Sequence, residues 1–350
     1  MLSRRNFLTS AASAAGVVFT SCPLVAPRAR AQAKKRQVSV GGRPIRTIDI
    51  HAHVIVPEAA ALMGVQTAPN DPSLIAGRRF ETMDEWGIDM QALSINANWY
   101  GVSDRDVAAK MMQIQNEKLA ELCAKYPDRF VAFASVALQF PDLAAVQLEE
   151  GVKKYSLRGA AIGGHVNGDE LSAPKFDPFW KKAEELGCLI FMHPQGIPEM
   201  EKRLAGKGGL TNVIGNPLET TIFLEHLIFE GTLDRFPGLK ICAAHGGGYL
   251  PSYAARSDYG CNRFPDACKS LKKRPTEYLR QLYFDSMVFT PEGLRHLVAE
   301  TGVSQIMIGT DYPFPWSTTT VDHVLNTAGL SDADKRAILG ENAARLLKIT

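Results

Sequence analysis

The sequence predicts a single (β/α)8 (TIM) barrel, and three observations predict it. Eight short apolar runs alternate with longer amphipathic stretches, the pattern of parallel strands joined by helical crossovers. No G-x-G-x-x-G or phosphate-binding lysine loop follows the first run, which counts against a nucleotide-binding open sheet. Residues that could ligate a metal stand at the ends of four runs, where a barrel gathers its strand ends into one mouth.

The strand candidates are 46–51 (RTIDIH), 89–95 (DMQALSI), 130–136 (FVAFASV), 159–163 (GAAIG), 188–193 (CLIFMH), 239–245 (LKICAAH), 282–286 (LYFDS) and 304–310 (SQIMIGT). Helical periodicity fills 104–126, 141–155, 176–187, 217–230, 249–258, 291–301 and 333–347. No internal repeat is present. The economical division is an export signal over 1–33, a lead-in linker over 34–44 and one catalytic domain over 45–350.

Composition sets the class. Hydrophobic residues make up 45% and charged residues 22%, as in soluble globular proteins. The net charge of +2 misleads, because the first 33 residues carry four arginines and no acid. Beyond them, 35 basic residues face 37 acidic ones. Neither balance suits nucleic acid or an anionic membrane surface.

The N-terminus reads as a targeting segment. Arg4-Arg5 precede a short apolar run and then the small residues of "ARAQA", the layout of a twin-arginine secretory signal. The run is too short to span a bilayer, which takes about 20 apolar residues. The mature protein is therefore expected in the periplasm or secreted, without stable membrane association. An unused signal would leave it cytoplasmic. An uncleaved anchor and lipid attachment at Cys22 are the alternatives, the latter behind a poor lipobox.

Five cysteines remain beyond the signal, with no C-x-x-C spacing, so neither a disulfide framework nor a thiolate metal site is expected. Cys188 and Cys242 fall in apolar runs as small core residues. A Cys261–Cys268 bridge fits an exported protein.

The chemistry lies at the strand ends. His51 and His53 close the first run, His193 the fifth and His245 the sixth, and Asp311 follows the eighth. Residues i and i+2 of a strand share a face, so His51 and His53 can address one ion. Imidazoles with one carboxylate form the ligand set of borderline metals such as zinc. Any one of these histidines could be a hydrogen-bonded core residue. Five such groups at the ends of strands of one barrel point to a metal site.

The motifs "IDIHAH", "FMHP", "NPLETT", "LDRFPGLKICAAHGGGYLP", "YFDS" and "IGTDYPFP" give the chain its resemblance. From about residue 46 to 348 it resembles the amidohydrolase superfamily, and within it the aminocarboxymuconate semialdehyde decarboxylase branch with its related aromatic-acid decarboxylases. The resemblance implies a TIM barrel with His51, His53, His193 and Asp311 as metal ligands. It also implies His245 as the catalytic histidine, with Asp311 sharing the proton handling. Arg256 matches a family arginine that grips a substrate carboxylate in the neighbouring subunit's site, so a homodimer is expected; an exposed helical arginine is the plain alternative. Two-metal members carry a bridging lysine on strand four, and "GAAIGG" has none. One divalent ion is therefore expected, zinc first and manganese second.

Around this centre, His165 in "GGHVNG" is a candidate substrate contact, with a solvated loop histidine as its ordinary alternative. Trp99 and Tyr100, with Phe314 and Trp316, are candidates for an aromatic pocket. The segment after His53 is shorter than in the family decarboxylase, and Gln195 replaces the tryptophan that usually follows "HP". Two reactions of a small-molecule substrate suit the site. The first is non-oxidative decarboxylation of an aromatic or unsaturated acid, which the resemblance favours. The alternative is hydrolysis of an ester, lactone or amide by activated water, with Asp311 taking its proton and His245 steadying the oxyanion.

Overall fold

Eight parallel strands close into a barrel in the computed structural model, which describes residues 35–350 apart from 76, 97–98, 315 and 317–319. The expected export signal lies outside the described residues. The strands are Ile48–Val54, Met90–Ile95, Phe130–Ala132 continued by Ala134–Ser135, Gly159–Ile162, Leu189–Met192, Lys240–Ala243, Tyr283–Asp285 and Ile306–Met307. Consecutive strands pair in parallel, and Phe133 N–H donates to the Leu93 carbonyl where the third strand changes direction. The ring closes between the last strand and the first, where Ile50 N–H donates to the Ile308 carbonyl at 2.9 Å and Ala52 bridges Tyr312.

The expected strands all form, because each is apolar enough to be buried on both faces. The first runs to Val54 rather than ending at His51, so both histidines lie within it. Helices pack outside. Arg105–Lys125 is capped by Asp104, whose side chain accepts from the N–H groups of Asp106 and Val107. Pro141–Lys153 and Pro291–Thr301 each begin with proline, which needs no hydrogen bond there. Gly187 ends Asp177–Leu186 in the left-handed conformation. The expected 333–347 helix is divided into Asp332–Arg336, a wide turn over Ala337–Glu341, and Asn342–Leu347.

Two corrections to the sequence reading concern short elements. The lead-in is not all linker: Ser39–Val40 pairs antiparallel with Arg43–Pro44, with Gly41 and Gly42 at positive φ in the turn and Val38 and Val40 buried. The segment after His53 is not a bare loop, because it folds as the helices Pro57–Leu62 and Gly77–Trp86. Thr320–Asn326 is a further helix that was not expected. Pro57–Leu62 and Thr320–Asn326 are too short for periodicity to separate from loop. Cys261 and Cys268 form a disulfide, while Cys188 and Cys242 are buried thiols as expected.

Candidate metal centre

His51 and His53 are brought side by side by the two-residue period of the first strand. Their Nε2 atoms lie 3.1 Å apart. Asp311 Oδ1 sits 3.1 Å from one and 2.9 Å from the other, and 3.8 Å from His193 Nε2. One donor atom from each of His51, His53, His193 and Asp311 falls within 4.8 Å of the others, and all four residues are buried. This is the one such group among the described residues. Asp49 stays apart from it: its carboxylate accepts from Thr310 Oγ1 at 2.6 Å, Gln91 Nε2 at 3.0 Å and His51 N–H at 3.0 Å. Beneath the site, Phe191 lies 5.1 Å from the His51 ring and stacks on Phe133.

The hydrogen-bond partners fix how the rings are presented. His51 Nδ1–H donates to Asp285 at 2.7 Å. Ser94 Oγ donates to the Ala52 carbonyl at 3.4 Å, which leaves it to accept from His53 Nδ1–H at 3.0 Å. Both rings therefore turn an Nε2 lone pair toward the Asp311 carboxylate. His193 is buried with neither ring nitrogen hydrogen-bonded. Lone pairs and a carboxylate converging in a buried space repel one another unless a cation lies among them. Tetrahedral donors around zinc stand about 3.3 Å apart, and these spacings suit that arrangement. The residues fit a divalent ion.

The electrostatics without an ion say the same. Burial works against charge on His51, yet Asp311 and Asp285 outweigh it and raise the imidazole to about 10. Burial lowers His53 to about 4, and burial with the neighbouring His53 holds His193 well below the imidazole range. Asp311 stays well below the usual carboxylate range, because His51 outweighs its burial.

His245 follows the sixth strand and lies next to this centre, its Nε2 3.7 Å from Asp311 Oδ2. It has positive φ, as do Asp311 and Trp99, a conformation rare outside glycine and concentrated at functional sites. Three glycines after it continue the tight path. A Cβ on Gly248 would stand 2.1 Å from the Pro217 carbonyl, so the chain can pass there only as glycine. His245 lines a cavity of about 360 Å³ with Met287, Phe289, Leu297 and Trp316 on its apolar side and Asn216 and Tyr249 among its polar groups. A second cavity of about 140 Å³ opens beside His53, between Trp99 and Phe314.

The other expected contacts divide. Trp99 and Phe314 line the His53 cavity, and Phe314 meets the His53 ring edge-on at 6.1 Å. His165 is not beside either cavity; it lines a third, smaller one with Glu170, Glu199 and Glu219, and its Nδ1 accepts from Gly168 N–H. Tyr100 is buried, its hydroxyl accepting from Gly163 N–H at 3.1 Å. Arg256 is exposed on the helix Leu250–Arg263.

Two carboxylates had no assigned role in the sequence reading. Asp285 links His51 to the His245 loop, accepting from the N–H groups of His245 and Gly246 at 2.9 and 2.8 Å. Glu219 accepts from Gly164, Gln195 and Gly196, tying the loops after the fourth and fifth strands together. They lie in the motifs "YFDS" and "NPLETT", two of those that carry the family resemblance, and that was the available signal.

A closed parallel barrel with this ligand cluster at its mouth defines an amidohydrolase. The chain belongs to that family, whose model matches residues 48–349. Within it, the chain falls in the aminocarboxymuconate semialdehyde decarboxylase-like branch. It is 30% identical over 272 residues to the 2-amino-3-carboxymuconate-6-semialdehyde decarboxylase of Dictyostelium discoideum, covering 77% of this chain and 75% of that one. It is 31% identical over 292 residues to the gamma-resorcylate decarboxylase of Rhodococcus jostii (strain RHA1), covering 77% and 87%. The crystal structure of a dihydroxybenzoic acid decarboxylase from Polaromonas sp. JS666, with bound manganese and the inhibitor 2-nitroresorcinol, superposes with a TM-score of 0.77. It is 28% identical and covers 87% of this chain and 97% of that one.

Proposed function

We propose that this protein is a metal-dependent carboxy-lyase that removes the carboxyl group of an aromatic or unsaturated acid as carbon dioxide, without an oxidant. The observation that carries the reading is the convergence of His51, His53, His193 and Asp311 beside His245 and two largely apolar cavities. The decarboxylase relatives support the same choice.

His51, His53, His193 and Asp311 would hold one divalent ion, which supplies positive charge and Lewis acidity toward the substrate's oxygens. Three imidazoles and a carboxylate favour zinc, and the manganese-containing Polaromonas structure makes manganese the second choice. The protein's part is orientation and proton delivery. Asp285 holds the His51 ring and the His245 loop in register. His245 lines the larger cavity and its Nε2 lies 3.7 Å from Asp311 Oδ2, so one of the pair delivers a proton to the carbon that bore the carboxylate. The carbon–carbon bond then breaks, carbon dioxide leaves, and the bonding pair stays with the ring.

A paired screen tests this: aromatic carboxylates for carbon dioxide release, and aryl esters and lactones for acid release. Carbon dioxide release dependent on His245 is expected. Ester or lactone cleavage without any decarboxylation would overturn the reading.

We propose further that the enzyme is exported by the twin-arginine route and works as a homodimer. The Arg4-Arg5 segment and the Cys261–Cys268 disulfide support an oxidising compartment. Tyr253, Tyr259 and Arg256 are exposed on one helix, a surface suited to a second copy that would receive the arginine in its site. Cell fractionation and sedimentation test the two statements; a cytoplasmic or monomeric active enzyme would overturn them.

A further inference from the structure

The cavity beside His245 is larger than one ring requires. It measures about 360 Å³, and apolar cavities of roughly 150 Å³ already accept benzene. A reacting ring placed against His245 therefore leaves more than half of the space unfilled. Met287 and Leu297 form buried parts of the wall. Val213, Phe289 and Trp316 line the same cavity, yet they are 48%, 56% and 44% exposed. No lysine, arginine, aspartate or glutamate is among the described residues lining it, so it offers no fixed charge to a second ionised group.

Phe289 is held in that wall under strain. Its φ is +60°, in the left-handed region that a bulky side chain rarely adopts. Thr290 N–H donates to the Val288 carbonyl at 2.8 Å, which closes a γ-turn centred on Phe289, and with positive φ this is the rare, strained form. The ring does not repay the strain by burial, since more than half of it stays in water. Strained residues of this kind cluster at ligand clamps and active sites. Exposed aromatic and aliphatic groups gathered around one cavity mark a surface that an apolar ligand covers.

We propose that the substrate carries, beyond its reacting ring, an uncharged apolar arm about one further ring in size, and that Phe289 recognises this arm within the larger cavity. The inference rests on the decarboxylase reading for the place of the reacting ring, and adds what the rest of the cavity holds. The arm covers Val213, Phe289 and Trp316 and removes their apolar surface from water, so it adds affinity in proportion to its own apolar area. Phe289 is specificity-determining: its side chain has no proton to exchange, and it discriminates by contact alone.

The test is calorimetric binding of benzoate, biphenyl-3-carboxylate and biphenyl-4-carboxylate to the metal-loaded protein, which reads affinity rather than turnover. Wild type should bind the better biphenyl acid about 10- to 100-fold more tightly than benzoate, the gain from burying one phenyl group. Phe289→Asn removes the ring and suits the left-handed backbone, so it should unfold on heating no earlier than wild type. The variant should lose about fivefold or more of the biphenyl preference, with metal content unchanged. Biphenyl acids that bind wild type no better than benzoate would overturn the proposal, whether or not the variant folds. So would a folded Phe289→Asn with its preference intact; weaker self-association of that variant in sedimentation would then assign the ring to contact with a second copy. Absence of carbon dioxide release from every acid would instead sink the decarboxylase reading and leave this preference standing.

Discussion

The Asp285 carboxylate accepts a hydrogen bond from His51 Nδ1 at 2.7 Å, and the same oxygen accepts from the backbone N–H of His245 at 2.9 Å. One buried side chain therefore orients a metal-ligand candidate and anchors the loop of the histidine next to it. Its other oxygen accepts from Gly246 and Met287 N–H at 2.8 and 3.0 Å, so every lone-pair direction is used.

Replacing Asp285 should therefore weaken metal binding without touching a ligand. Asp285→Asn keeps the shape but places an amide where at least one donor needs an acceptor. A loss of metal affinity of about 10- to 100-fold is expected, read by competition with a chelator. The fold should also lose about 1–3 kcal/mol. Unaltered affinity would show that the His51 ring needs no such support.

His245→Ala should separate chemistry from metal binding. The variant should bind one equivalent of metal, melt within a few degrees of wild type, and release carbon dioxide at least about 100-fold more slowly. His193→Ala should do the reverse at the first step, failing to retain stoichiometric metal after dialysis. Elemental analysis beside the turnover assay distinguishes the two.

Stability should depend on pH through Glu219. Burial raises this carboxyl to about 7, against the pull of His165 and three backbone N–H groups. The folded chain thus holds this proton more tightly than the unfolded chain, whose carboxyl titrates at 4.5. The cost of ionising it is absent below pH 4.5, grows as pH rises, and is complete above about pH 7, where it reaches about 3 kcal/mol. Glu219→Gln loses an acceptor at all pH values but carries no such cost. Its stability relative to wild type should accordingly improve between pH 4.5 and 8, as read by urea unfolding at each pH. A difference that stays flat across that range would refute the assignment.

The glycine run after His245 should tolerate no side chain at its last position. Gly248 has φ +65°, and a Cβ there would overlap the Pro217 carbonyl and press on Thr221 Oγ1. Gly248→Ala should lose about 3 kcal/mol or more, with the His245 loop displaced. A crystal structure of a stable Ala variant with the loop unmoved would contradict this.

Subunit complementation tests the role proposed for Arg256. His245→Ala and Arg256→Ala should each be nearly inactive, and equal mixtures refolded together should recover about a quarter of wild-type activity. Half of the dimers would then be mixed, each with one intact site. No recovery would place the arginine's effect within its own subunit.

The barrel was legible in the sequence, because eight short, largely apolar runs alternate with amphipathic stretches, the pattern of parallel strands with helical crossovers. The sequence also carried the candidate ligands. His51, His53, His193 and Asp311 stand at strand ends, and a parallel barrel can only bring those ends to one mouth. Short elements escaped it, since a six-residue helix such as Pro57–Leu62 has too few turns to show a period. The remaining features depend on contacts between distant segments. Asp285 is one acidic residue among 37 until the closed ring sets it against His51, 234 positions earlier. Gln115 and Asn116 are adjacent polar residues on one helix, and only packing reveals that Asn116 is paired while the Gln115 side-chain oxygen is left without a partner. His165 stands just past a strand end, and that it shares a cavity with Glu170, Glu199 and Glu219 appears only in the folded chain. Local periodicity fixes which residues are buried. Which buried polar groups find partners depends on contacts between distant segments, and those exist only once the chain has closed.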